Sequence, residues 1–160
     1  MKPELNILSI AEEVELLDKL LDAEKNSIKS TDRTIIRYGN SIYGHNTLEP
    51  IPQYLLDLST KLIDKKILDA LPEDITINIY YPGDRIAPHI DKPEAGPVIT
   101  VLSLLSEATL ILTYGSKKEK IILPSRSVIQ FKLVYRTHWK HSIEKLKQKR
   151  ISIVFRQAGK

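Results

Sequence analysis

Apolar residues recur every three or four positions in the first part of the chain and every second position from about residue 75 onward. The first part opens with Ser9-Ile10-Ala11-Glu12. This reads as a capping box, in which the serine hydroxyl and the glutamate satisfy backbone donors that a helix start leaves open. Ile10, Val14, Leu17, Leu20 and Leu21 follow at helical spacing and predict a helix over about 10–25 with that face on a core. Residues 26–50 show no clear period and are rich in turn formers, with one short strand expected at Thr34-Ile35-Ile36-Arg37-Tyr38. Ile51-Pro52 opens a second helix, since proline is tolerated in a first turn. Its stripe is Ile51, Leu55, Leu58 and Leu62, and it is expected to run to about Leu71, where Pro72 bars continuation.

The second part reads as short strands at 75–81, 97–105, 108–114, 119–123, 127–133, about 137–143 and 150–156. Gly, Pro, Ser or Lys clusters separate most of them. Short strands at near-regular spacing predict a sandwich or a jelly roll. With two helices ahead of them, the expected fold is α+β and β-dominated, the two N-terminal helices packing on one outer face of a sheet. The 160 residues suit one domain, 1–160, with a real core.

Composition changes this picture little. Hydrophobic content of 42% and charged content of 28% are ordinary for a soluble domain. No stretch reaches the roughly 18 to 20 apolar residues of a membrane span. Met1-Lys2-Pro3-Glu4 leads into no apolar signal core, so an intracellular protein, cytoplasmic or nuclear, is expected, with no membrane partner. The lack of cysteine excludes disulfides, thiolate metal sites and cysteine nucleophiles. Charge is more informative. Residues 1–74 carry 9 Lys and Arg against 14 Asp and Glu, a net of −5, while 75–160 carry 15 against 6, a net of +9. A basic second half points to an anionic partner such as nucleic acid, against the plainer reading of a solvated lysine-rich surface.

The chemistry starts at His89-Ile90-Asp91. In an extended chain the imidazole and the carboxylate point the same way, as two thirds of a facial metal triad. A third ligand must come from His45, His138 or His141. Trp139, His141 and Ile143 share one strand face and form the apolar, inward set, so parity selects His141 and turns His138 outward; a bulge between the two would reverse this. In Arg150-Ile151-Ser152-Ile153-Val154-Phe155-Arg156, even spacing puts both arginines and Ser152 on one face. Alone, that run also describes two exposed arginines bounding a core strand. Arg33, Arg37, Tyr38, Tyr43 and His45 interleave cations with rings in 26–50, a composition that can stack on and pair with nucleotides, while for any single one of them a loop folded over the core is the better reading.

Asn78-x-Tyr80, His89-x-Asp91, His141 and Arg150-x5-Arg156, in that order within strand-like sequence, resemble the AlkB family of Fe(II)- and 2-oxoglutarate-dependent dioxygenases. His138-Trp139-Lys140-His141-Ser142-Ile143 is similar to that family's segment around its last metal histidine, and a weaker likeness runs through Arg33 to Gly39, Tyr43 and Pro50 to Leu62. The resemblance implies a double-stranded β-helix, or jelly roll, with Fe(II) on His89, Asp91 and His141. It implies 2-oxoglutarate and O2 as co-reactants, the former held by Asn78, Tyr80, Arg150, Ser152 and Arg156. Arg150 would meet the distal carboxylate, Tyr80 the same end, and Asn78 the end nearer the metal. Ser152-x-Val154 departs from the Asn-x-Thr that many members carry inside the arginine repeat. The implied reaction is oxidative demethylation of N-alkylated nucleobases in DNA or RNA, releasing formaldehyde, succinate and CO2. The family's nucleotide-recognition lid would be reduced to 26–50, favouring single-stranded or unpaired substrate, and a monomer is expected. The alternatives are the same chemistry on a protein side chain or small molecule, and a non-catalytic jelly-roll binding module. Against the module stands the arginine pair, since a structural metal site has no use for a dicarboxylate clamp.

Overall fold

The computed structural model describes residues 1–40 and 48–157. Tyr43 and His45 lie outside the described residues. The described residues form three α-helices: α1 (Ile10–Ala23), α2 (Gln53–Asp64) and the short α3 (Leu133–Thr137). Ten strands make two antiparallel sheets. They are β1 (Ile28–Lys29), β2 (Thr34–Gly39), β3 (Asp74–Tyr80), β4 (Ile86–His89), β5 (Ile99–Leu104), β6 (Ala108–Tyr114), β7 (Lys117–Leu123), β8 (Ser127–Phe131), β9 (Lys140–Ile143) and β10 (Arg150–Arg156). The first sheet runs β1-β2-β3-β10-β5-β8 and the second β4-β9-β6-β7. This is a jelly roll whose first sheet is extended at its edge by β1 and β2.

The first sheet is buried on both faces, and each face belongs to a different core. Ile75, Ile77 and Ile79 of β3 and Ile151, Ile153 and Phe155 of β10 meet Leu16 and Leu20 of α1 and Leu55, Leu58 and Leu62 of α2. The two helices therefore cover one outer face, as the sequence pattern predicts. Tyr80, Ile99, Leu110, Leu112, Phe131, Trp139 and Val154 belong to the second core, between the sheets.

Three local readings are corrected. The capping box of Ser9 and Glu12 is present. But Ile10, Val14 and Leu21 are exposed, and the inward face of α1 is centred on Leu16 and Leu20. The helix is rotated because Glu13 turns inward: its carboxylate accepts from Leu105 N at 2.8 Å and from Ser125 Oγ, and pairs with Arg126 Nε at 3.4 Å. A half-buried acceptor with three donors helps to fix the face. Secondly, α2 stops at Asp64 instead of Leu71. Lys66 takes φ 60°. Lys66 N donates to Ile63 O at 2.8 Å and Ile67 N to Leu62 O at 2.9 Å, a Schellman end built without its usual glycine. Thirdly, the expected strand ends around 133 and 137 are replaced by α3.

Candidate active site

Strand parity builds the site. β3 and β10 pair in the register Arg150↔Tyr80, Ser152↔Asn78, Val154↔Thr76 and Arg156↔Asp74. With Ile151, Ile153 and Phe155 turned to the helices, these residues point between the sheets. All of them but Asp74 line a cavity whose empty space, with the open solvent at its mouth included, is about 690 Å3.

At the inner end Arg150 is 1% exposed. Its Nη2 donates to Ser103 Oγ at 2.7 Å, and its guanidinium lies 5.2 Å from the centre of the Tyr80 ring. Its Nε has no partner, and among the described residues no carboxylate pairs with it. A buried guanidinium in that state demands an anion. Burial pushes the Tyr80 hydroxyl up, against the pull of Arg150 and Arg33, so it stays a neutral donor. Asn78 Nδ2 donates to Ser152 Oγ at 3.4 Å, and Asn78 Oδ1 accepts from Arg33 Nε at 2.9 Å. Arg156, at the other end of β10, already has counterparts: its Nη1 donates to Asp74 Oδ1 at 2.9 Å and Thr76 Oγ1 at 2.7 Å.

At the outer end β4 and β9 place His89 opposite His141, with ring centres 4.2 Å apart. A register shift between Ile86 and His89 inserts one residue in β4, so that both side chains line the cavity despite their odd spacing. His89 Nε2 is 3.4 Å from Asp91 Oδ1, and His141 Nε2 is 3.9 Å from Asp91 Oδ2. One donor atom from each of the three lies within 4.8 Å of the others, close enough to meet on a single ion. His89 Nδ1 is 2.9 Å from Ala87 O, which holds the proton on Nδ1 and leaves Nε2 free as a ligand. Burial pushes the Asp91 carboxyl up, but His89, His141 and Arg156 outweigh it and bring it down to about 2. Burial and the charge of His89 bring His141 down to about 4. The hydrogen bond to Asp91 raises His89. An ionised carboxylate beside a neutral imidazole is the form in which these groups bind a metal.

Of the substrate candidates, Arg33 and Arg37 line the cavity. Tyr38 faces the other way, against the helical core. His138 is exposed, its Nδ1 2.6 Å from Thr137 Oγ1, and β9 begins only after it, so no bulge upsets the parity argument. Two residues were not anticipated. Asp74 is the partner of Arg156, and its even spacing from Asn78 and Tyr80 could have revealed it. Arg136 of α3 is 5% exposed. Its Nε, Nη1 and Nη2 donate to Gly96 O at 2.8 Å, Asp91 O at 2.9 Å and Lys92 O at 2.6 Å. It thus clamps the backbone that carries Asp91.

The cavity has at one end a triad that could hold an ion and at the other a buried guanidinium with no carboxylate partner among the described residues, an arrangement that suits a metal-dependent oxygenase taking a dicarboxylate. Residues 8–156 match the 2OG-Fe(II) oxygenase superfamily, and the chain belongs to that superfamily. Uncharacterized protein L905 of Acanthamoeba polyphaga mimivirus is 30% identical over 168 residues, spanning 93% of this chain and 80% of that protein. The tRNA (carboxymethyluridine(34)-5-O)-methyltransferase alkbh8 of Xenopus tropicalis and the RNA demethylase ALKBH9B of Arabidopsis thaliana are each 31% identical over 134 residues. This match takes in 76% of the chain but only 21% and 26% of those longer proteins. In fold, OsALKBH1 superposes with a TM-score of 0.74 at 15% identity, over 97% of this chain and 96% of that one. A Pseudomonas putida prolyl-4-hydroxylase superposes at 0.64 and 16% identity, over 99% and 92%.

The protein is therefore a 2-oxoglutarate-dependent dioxygenase, using Fe(II), 2-oxoglutarate and O2. The residues present fit those groups. His89, Asp91 and His141 could hold the iron and leave positions open for the oxo acid and dioxygen. When bound, the iron, oxo acid and dioxygen supply a two-electron oxidation, one oxygen atom entering succinate and the other a C–H bond. The chain's own part is to hold and to exclude water. Arg150 and Tyr80, both 1% exposed, present a fork of donors and a hydroxyl at the dry end.

Proposed function

We propose that the protein removes N-methyl groups from nucleobases in DNA or RNA. The methyl C–H is hydroxylated, the C–N bond then breaks with its proton returning to nitrogen, and formaldehyde, succinate and CO2 leave. In this reading His89, Asp91 and His141 bind iron, and Arg150 and Tyr80 take the far carboxylate of 2-oxoglutarate. Asn78 and Ser152 line its path toward the metal, and Arg156 steadies the metal end. Residues 1–160 act as one catalytic unit in which 26–50 serves as a reduced lid, with Arg33 and Arg37 facing the substrate.

The observation that carries the substrate is the pairing of this cavity with a net charge of +9 over residues 75–160. The names of the alkbh8 and ALKBH9B relatives support it. Base extrusion from a duplex costs a few kcal/mol and less from a single strand, so a short lid favours unpaired substrate. The test is incubation of iron-loaded protein with 2-oxoglutarate and methylated oligonucleotides, reading formaldehyde and the demethylated base by mass spectrometry. Succinate formation without demethylation of any strand type would turn the assignment toward a protein side chain or small molecule.

A further inference from the structure

The tip of the second sheet carries a group of side chains that the metal and cosubstrate readings do not use. Across β9, β6 and β7 the register runs Lys140↔Thr113↔Lys118, with Tyr114↔Lys117 next and His141 opposite Leu112. Tyr114 is thus one strand over and two residues beyond His141, roughly 8 Å along the sheet by ordinary strand spacings. It lies toward the end of the cavity that holds His89 and His141, not the end that holds Arg150.

Tyr114 is 49% exposed. Its ring sits 5.8 Å from that of Trp139 at 36°, and meets His138 edge-on at 6.2 Å. Trp139 in turn backs onto Tyr135 at 5.2 Å and 32°. The outermost ring is therefore held from behind and open in front. Lys117, paired with Tyr114 and so on the same face of the sheet, is exposed and forms no ion pair among the described residues, whereas Lys118 and Lys140 pair with Thr113 and point to the opposite face. A ring cluster serving only the core would bury Tyr114 and would gain nothing from an uncommitted cation beside it. A rigid ring beside a free cation is the usual make-up of a stacking platform for single-stranded nucleic acid.

We propose that this ledge binds a single-stranded nucleic acid next to the active site, stacking the base beside the target on Tyr114 and holding a phosphate on Lys117. The proposal rests on the nucleobase reading above. It makes the flanking nucleotide, not only the methylated base, part of what is recognised.

The probe is a single-stranded methylated oligonucleotide titrated into the Mn(II)-loaded protein with 2-oxoglutarate. Trp139 is the one tryptophan in the chain, and its emission reports events at the ledge. Binding to the parent protein is expected to quench Trp139. Tyr114→Ala should weaken binding by roughly 5- to 150-fold, the range for losing one base stack. Tyr114→Phe should retain it. Lys117→Glu should weaken binding and flatten its salt dependence, by a slope of about 0.7 for one phosphate contact. With Fe(II), the oligonucleotide KM should rise by the same factors. Demethylation with unchanged affinity in both Tyr114→Ala and Lys117→Glu would overturn the ledge and leave the nucleobase reading standing. A parent protein that neither binds nor demethylates any oligonucleotide would overturn both.

Discussion

Arg136→Lys is expected to loosen the metal centre more than the fold. The guanidinium closes three bonds on the loop that follows β4, and Lys92 O also accepts from Ala95 N at 3.0 Å. Truncation as in Arg136→Met therefore orphans chiefly Asp91 O and Gly96 O. At about 1–3 kcal/mol for each buried acceptor, the loss is roughly 2–6 kcal/mol. That is a large share of the ~5–15 kcal/mol that holds a domain together, so Met is the harsher probe. Lysine keeps the charge and can restore one bond at a time, but it cannot span three carbonyls as a planar fork does. The loop then keeps its place on average while the Asp91 carboxylate loses its fixed aim. Outer partners of metal ligands typically contribute 10–100-fold to affinity, and a loss of about that size is expected for Arg136→Lys. The assay is a Co(II) titration followed by its visible ligand-field bands, beside a thermal melt. If the melting temperature falls while Co(II) affinity and band positions match the parent protein, Arg136 only holds the fold and the reasoning is wrong.

Four further outcomes are expected. Arg150→Ala should raise the 2-oxoglutarate dissociation constant by roughly 10- to 150-fold, the equivalent of one charge-assisted bond of about 1.5–3 kcal/mol, with Co(II) affinity preserved; anaerobic calorimetry checks it. His141→Ala should abolish metal binding while His138→Ala keeps it, and the opposite pattern in equilibrium dialysis would reverse the ligand assignment. In the metal-free protein, His141 titrates at about 4 when folded against 6.5 for the free group. The unfolded chain takes that proton first, so stability present above about pH 6.5 should fall toward pH 4 by at most roughly 3 kcal/mol, partly offset by the raised His89; urea midpoints that stay level over that range would contradict it. Gly39→Ala should be strongly destabilising by thermal melt, because φ there is +92° and an added Cβ would meet Glu73 O at 2.2 Å.

The residues that could be read from sequence are those governed by a period of two. Asn78, Tyr80, Arg150, Ser152 and Arg156 share a face because alternation in a central strand leaves no other arrangement. His89 meets His141 across an irregular register in β4, and Asp91 follows just beyond that strand, on backbone that Arg136 holds. The helical faces were less legible. Of the expected stripe Ile10, Val14, Leu17, Leu20 and Leu21, only Leu17 and Leu20 meet the core, and the tertiary donors met by Glu13 turn the face toward Leu16. The end of α2 was hidden because Lys66 occupies a left-handed position where glycine would have announced the stop. Arg136 was illegible in principle: α3 has five residues, too few for a period, and its bonds go to backbone carbonyls about forty residues away. Tyr38 is a lesser case, since its parity differs from that of Arg33 and Arg37 and already set it apart.

β10 has a consequence for how such a sequence can change. It is paired residue for residue with β3 on one side and β5 on the other, and all seven of its residues are buried. It works as a fixed ruler with a guanidinium at each end. Swaps of Ile151, Ile153 or Phe155 for apolar residues of similar volume cost less than about 1.5 kcal/mol and leave the ruler intact. One inserted or deleted residue turns a guanidinium to the helical face and an isoleucine into the cavity, and no neighbouring strand can slide to compensate. A library of single-residue insertions and deletions should therefore yield survivors at the Gly115-Ser116 hairpin and none within β10. Drift in this strand is confined to substitution, whatever length changes the surrounding loops accept.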